Sequence, residues 1–130
     1  MLSLPAKDAS LELEWASKLW CTVWHTHAGS RTRLGADSLG IIVERLRRSL
    51  RAALARMDEP EARLAAPDFV LALSEDHYTL YLEDIVDGAQ LWIQDPRATM
   101  FAKIPLDAPT ITKWLRVLAR SELPPTTSED

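Results

Sequence analysis

The sequence predicts an α+β fold in which two N-terminal helices and a C-terminal helix pack on the same face of a three- or four-stranded antiparallel β-meander. Apolar residues at helical spacing in two long segments, and strand-like runs between those segments, indicate this class. Of the 130 residues, 47% are hydrophobic and 26% are charged, which is typical of a globular protein. We expect one domain over residues 1–122 and a flexible tail over residues 123–130.

The first segment, residues 10–27, is compatible with two conformations. Wound as a helix, residues 10–24 place four apolar side chains on one side: Leu11, Trp15, Leu19 and Val23. The run SLELEW also alternates as a strand does, and a hairpin over residues 10–27 would add two strands to the sheet. We favour the helix and keep the hairpin as the alternative.

The second predicted helix is the segment ADSLGIIVERLRRSLRAALARM, which begins after Asp37 or Ser38 as the capping residue. Its apolar residues follow the i, i+3, i+4, i+7 pattern of a helix that buries one side. These residues are Leu39, Ile42, Val43, Leu46, Leu50, Ala53, Leu54 and Met57. The opposite side carries a basic face of four arginines, Arg45, Arg47, Arg48 and Arg51.

The predicted meander covers residues 68–95, where strand-forming runs are separated by the turns SEDH and DG. With Asp87 and Gly88 as the turn, Leu82 lies opposite Ile93. The core-facing side of this hairpin would then consist of Leu80, Leu82, Val86, Leu91 and Ile93. Asp84 falls among these apolar residues, which indicates a bulge or a different register.

The chain continues with a fourth possible strand, ATMFAKIPL, whose Pro105 places it at a sheet edge. The segment DAPTITKWLRVLARSEL then predicts the C-terminal helix, capped by Asp107 or Thr110. Its apolar stripe consists of Ile111, Trp114, Leu115 and Leu118.

The composition indicates a cytoplasmic protein. Cys21 is the single cysteine, so no disulfide can form within the chain, and no apolar run approaches the length of a membrane span. Residues 1–66 carry ten basic and eight acidic side chains, whereas residues 67–130 carry five and eleven. Without such an apolar run we expect no membrane partner, and the net charge of −4 disfavours nucleic acid as the partner.

The stretch LWCTVWHTHAG contains the residue types of a metal site. His25 and His27 would point the same way on a strand and hold one ion between them. Cys21 would lie about 13 Å from His25 on that strand, and on a helix His27 would turn away from His25. We therefore expect no cofactor and no catalytic residue, and keep a small metal-dependent enzyme or sensor using His25 and His27 as the alternative.

The meander is the most distinctive region for function because acidic and aromatic side chains concentrate there. The candidate partner-binding residues are Tyr78, Tyr81, Glu83, Asp84, Trp92, Glu75 and Asp76. Aromatic rings anchor protein interfaces, and carboxylates steer basic partners.

The sequence thus predicts an acidic protein-binding module without catalysis, of the immunity protein, antitoxin inhibitor or dedicated-chaperone kind, which engages a basic protein partner. We keep two further alternatives, a nucleic-acid adaptor and a homodimer. The four arginines of the basic face would suit a nucleic-acid adaptor, and exposed tryptophans would suit a homodimer.

Overall fold

The computed structural model describes residues 1–17 and 19–119 and consists mainly of β-strands. The first antiparallel sheet contains, in this order, β1 (Leu2–Pro5), β2 (Ala9–Trp15), β3 (Trp20–His27) and β4 (Ser30–Ser38). The second contains β5 (Asp68–Ala72), β6 (Thr79–Ile85), β7 (Gly88–Gln94) and β8 (Met100–Asp107). The helices are α1 (Leu39–Arg56), a short 3-10 helix (Pro60–Ala62) and α2 (Ala108–Leu118).

The two halves of the chain share one architecture, four antiparallel strands followed by a helix. In each half the helix begins at the residue directly after the fourth strand. Ile42 and Ile111, each the fourth residue of its helix, are both fully buried. The fold is therefore a tandem of two similar units, although the sequence carries no recognisable repeat.

The predicted fold class is wrong, because the structure has two four-stranded sheets and two helices rather than two N-terminal helices and one sheet. Residues 10–15 and 20–27 lie in the paired strands β2 and β3, which belong to the first sheet and do not extend the meander. The strand pattern prevails because β1 pairs with β2 and places Leu2 opposite Leu13 and Leu4 opposite Leu11. These four leucines enter one buried cluster, which a helix over residues 10–24 would lose.

The other predicted elements are present. Helix α1 buries the predicted apolar side, and helix α2 begins after Asp107, whose carboxylate accepts a hydrogen bond from the Thr110 amide. The meander forms the second sheet, and Pro105 lies in its edge strand β8. The predicted tail, residues 123–130, lies outside the described residues.

The β6–β7 hairpin differs from its predicted register. Ile85 pairs with Gly88 and Leu82 with Leu91, so Val86 is a turn residue and 74% exposed. The pairing between these strands contains no bulge. Asp84 lies on the inner side of the sheet because Arg56 of α1 neutralises it there.

A single core joins the two units. Helix α1 packs on β5, β6 and β7 as well as on α2, while α2 packs on β1 and β8. Trp114 of α2 is fully buried, and its indole Nε1 donates a 2.7 Å hydrogen bond to the carbonyl oxygen of Pro5. Each unit's helix therefore stabilises strands of the other unit. In the described part of the chain, no helix has the length and apolar character needed to cross a membrane.

The two sheets also meet where β4 approaches the loop after β5. The amides of Ser74 and Glu75 donate hydrogen bonds to the Ala36 carbonyl, and the Ser74 hydroxyl donates one to Asp37. Gly35 has a φ of +144°, and a Cβ there would lie 2.0 Å from the Glu75 carbonyl oxygen. Only glycine allows the two main chains to approach so closely.

Candidate functional site

The outer face of the second sheet carries one row of side chains that crosses all four strands. Phe69 on β5 pairs with Tyr81 on β6, Tyr81 with Trp92 on β7, and Trp92 with Lys103 on β8. We call these four residues the aromatic row. Both helices pack against the opposite face, so no described element covers the row.

The side chains of the aromatic row are held in place by their neighbours. The Trp92 indole donates a 2.9 Å hydrogen bond to Glu83, and the Lys103 ammonium lies 4.4 Å from the centre of the Trp92 ring. Phe69 and Tyr81 contact edge to face at 6.0 Å, with 49% of Phe69 exposed. A binding partner would meet rings whose conformation is already restricted.

Three of the seven predicted partner-binding residues lie together on this face, namely Tyr81, Glu83 and Trp92. Asp84 lies on the other face, where its carboxylate accepts two hydrogen bonds from Arg56, at 2.7 and 2.9 Å. Hydrogen bonds from Arg56 and its positive charge hold the pKa of Asp84 below its ordinary value, in spite of the opposing effect of burial. Asp84 is thus a structural ion-pair partner in this fold.

The remaining three predicted residues lie away from the aromatic row. Glu75 and Asp76 both form ion pairs with Arg33 of β4, next to the junction of the two sheets. Tyr78 is half-buried and contacts the Phe101 ring edge to face at 5.5 Å. The charges of Glu75 and Asp76 are therefore used in contacts between the two units, whereas the Tyr78 ring packs within the second unit.

Sequence analysis did not identify Phe69 and Lys103 as members of this face. Phe69 lies at a shift in the β5–β6 register, so simple alternation along DFVLA does not show which way it points. Lys103 comes to lie over Trp92 only when β8 pairs with β7 in the observed register. Pairing the residues of β8 with those of β7 in this register would have identified Lys103 as the neighbour of Trp92.

The outer face of the first sheet repeats part of this arrangement. Trp24 on β3 donates a 2.8 Å hydrogen bond to Glu14 on β2, and the Arg31 guanidinium lies 3.9 Å above the Trp24 ring. Arg31 also pairs with Glu12, so charged groups occupy the space around this tryptophan. Trp20 and Trp24 both lie on β3, so the helix predicted over residues 10–24 is wrong here too.

The predicted histidine pair is present on β3. His25 and His27 lie on the same side of the strand, with ring centres 6.4 Å apart. Cys21 is fully buried in the core, and burial raises the pKa of its thiol to about 12, so it remains protonated. Within residues 1–17 and 19–119, no group of three histidine, cysteine, aspartate or glutamate side chains lies close enough to hold a metal ion.

His25 should make the protein less stable in mild acid. Burial, followed by the proximity of His27, lowers the pKa of His25 from its ordinary value of 6.5. As the pH falls below 6.5, the unfolded chain takes up this proton before the folded protein does, so stability is lost in that range. We expect urea midpoints to fall from pH 7.5 to 5.5, and to fall less in His25→Phe. An equal fall in both proteins would contradict this assignment.

The predicted basic face of α1 is partly neutralised. Arg48 forms an ion pair with Glu44 at 3.1 Å, and Arg45 approaches the same carboxylate at 3.8 Å. The Nε atom of Arg47 is buried without a hydrogen bond among the described residues. The arrangement offers fewer free cations than the sequence pattern indicates.

The comparisons with known proteins add no family to this description. The chain matches no protein-family model, and a search of curated proteins finds no similar sequence.

Proposed function

We propose that this protein is a binding module for a basic protein partner, of the immunity protein, antitoxin inhibitor or dedicated-chaperone kind. The observation that carries the proposal is the aromatic row, which no described element covers. We also propose a cytoplasmic location, which is supported by the lone, buried Cys21 thiol.

The geometry of the aromatic row suits an interface. Tryptophan and tyrosine contribute large contact areas at a low cost in conformational entropy, and they are enriched among the residues that dominate binding energy. Strand pairing holds Tyr81 and Trp92 side by side, and the contacts of Glu83 and Lys103 restrict Trp92 further. Little ordering would be needed on binding, which favours affinity.

The charge of the chain supports a basic partner. The net charge is −4, and the excess of acidic residues lies in residues 67–130, which include the second sheet. Glu83 stands beside Trp92 on the proposed surface, and Asp87 is exposed in the adjacent β6–β7 turn. An acidic surrounding attracts a basic protein over several ångströms and favours the correct orientation on encounter.

The surface is tested first by crosslinking. A photoreactive phenylalanine analogue replaces Phe69 in one variant and Ile41 in a control, since Ile41 is an exposed apolar residue on α1. We expect a protein to be captured from position 69 and not from position 41, and mass spectrometry identifies it. Capture of a second copy of this chain, or equal capture from both positions, would contradict the proposal.

The captured protein is then used in binding measurements. We expect Trp92→Ala and Glu83→Lys each to weaken binding at least tenfold, because they remove the central ring and reverse the neighbouring charge. Ile41→Ala should leave the dissociation constant unchanged. Unchanged affinity in both Trp92→Ala and Glu83→Lys would remove the aromatic row as the binding surface.

A further inference from the structure

A second concave region lies at one end of the first sheet. A cleft of about 660 Å³ opens between the β1–β2 and β3–β4 turns of the first sheet and strand β8 of the second. This volume lies within the range of small-molecule sites. The aromatic row contributes Lys103 to the lining of the cleft, but the other three members of the row do not line it.

One wall of the cleft is formed by an irregularity in β8. Ile93 pairs with Ala102 and Gln94 with Met100, so Phe101 has no partner on β7. Such a bulge redirects a side chain, and the Phe101 ring contacts His25 edge to face at 5.3 Å. The cleft therefore has a flat aromatic wall next to the histidine pair.

The second observation is that His25 is more than nine-tenths buried, with 7% of its surface exposed, and lines this cleft. No hydrogen bond joins its ring nitrogens to a described residue, and neither nitrogen is among the fully enclosed unpaired atoms, so both remain accessible to a small molecule. His27 differs, because its Nδ1 donates to the Asp8 carbonyl at 2.7 Å. The His25 nitrogens are therefore available to form a hydrogen bond with a ligand or water in the cleft.

The charges around the cleft favour an anion. Lys7 and Lys103 line it, with Asp8 as the opposing acidic residue. Because the Asp8 carbonyl is an acceptor, His27, which also lines the cleft, carries a proton on Nδ1 and donates it to that carbonyl. The hydroxyl of Thr32, which pairs with His25 across the β3–β4 ladder, adds a further polar group to the lining.

We propose that this cleft binds a small organic anion with a flat aromatic body, such as an aryl carboxylate. The aromatic body lies against Phe101, and the carboxylate accepts a hydrogen bond from His25 and faces Lys7. This site shares Lys103 with the proposed protein-binding surface and is otherwise separate from it.

The test uses three probes that share one ring system and differ in charge, namely 2-naphthoate, 2-naphthalenemethanol and 2-naphthylmethylamine. We expect naphthoate to bind at least about tenfold more tightly than the alcohol or the amine. Nitrogen-15 spectra of the histidine rings should show the His25 signals moving on titration while those of His77, outside the cleft, stay in place. Equal binding of the three probes, or unmoved His25 signals, would overturn the proposal.

Two variants locate the bound anion. His25→Phe should weaken naphthoate binding at least about tenfold, whereas His77→Gln should not change it. Lys7→Glu alters an exposed turn residue, so it tests the charge even if His25→Phe fails to fold. We expect it to weaken naphthoate binding and to leave alcohol binding unchanged. Undiminished naphthoate binding in Lys7→Glu would overturn the assignment of an anion site.

Discussion

Replacement of Trp114 by alanine is expected to lower the free energy of unfolding by about 3–5 kcal/mol. The Trp114 side chain is fully buried among residues of both units, and its removal leaves a large cavity. It also leaves the Pro5 carbonyl, which now accepts the 2.7 Å hydrogen bond, without its partner. Urea unfolding followed by far-ultraviolet circular dichroism measures the loss.

Two control variants separate these contributions. Trp114→Phe keeps most of the ring but removes the donor, so a loss of about 1–3 kcal/mol is expected. Lys113→Ala changes the exposed neighbour on the same helix and should alter stability by less than about 0.5 kcal/mol. A loss below about 1.5 kcal/mol in Trp114→Ala would show that α2 contributes much less to joining the units than its burial indicates.

Asp84→Ala is expected to lower the free energy of unfolding by about 3 kcal/mol, because it leaves Arg56 partly buried without its counter-charge. The side chains of Arg56 and Asp84 are only 17% and 5% exposed. Asp84 also accepts a hydrogen bond from the Leu64 amide, which would lose its partner. Thermal and urea unfolding of the purified variant measure this loss.

An exposed ion pair is the matched control for Asp84. Glu44 and Arg48 form a solvent-exposed ion pair, so Glu44→Ala should lower the free energy of unfolding by less than about 1 kcal/mol. Replacing both partners, as in Asp84→Leu with Arg56→Met, should recover most of the loss. Equal losses in Asp84→Ala and Glu44→Ala would show that burial does not strengthen the dependence on this pair.

The same ion pair has a predictable pH dependence. The pKa of Asp84 is lower in the folded protein than its ordinary value of 3.8, so the carboxylate stabilises the fold above that pH. This contribution is lost as the pH falls below 3.8. The loss of stability attributed to His25 begins at a higher pH, below 6.5, so the two groups act in different pH ranges.

The parts of the fold that were predicted correctly depend on local patterns. In α1 and α2 the apolar period of the helix and the residues before each helix are contained within a short segment. The DG turn and the alternating residues on either side of it predicted the β6–β7 hairpin in the same way. Its register was missed because Asp87 and Gly88 were taken as the turn, whereas Ile85 pairs with Gly88 and the turn consists of Val86 and Asp87. The position of Asp84 on the inner face is made favourable by Arg56, which is distant in sequence.

In the candidate sites too, local sequence patterns indicated some of the residues, and only strand pairing brought the others to them. The acidic and aromatic content of the meander pointed to Tyr81, Glu83 and Trp92, which the structure brings together on one face. Phe69 and Lys103 joined them only through the pairing of β5 and β8 at the two edges of the sheet. The cleft beside His25 depends on Phe101, whose direction is set by a shift in strand pairing.

The sequence by itself determined where the two helices and the β5–β8 meander lie, since each of these elements depends on residues that are close together in the sequence. Only the tertiary structure decided that residues 10–15 and 20–27 are strands, because Leu11 and Leu13 gain their burial from β1, β3 and the shared core. It also decided that the chain forms two similar units. Both features depend on contacts between residues far apart in sequence, and the local spacing of apolar residues contains no information about such contacts.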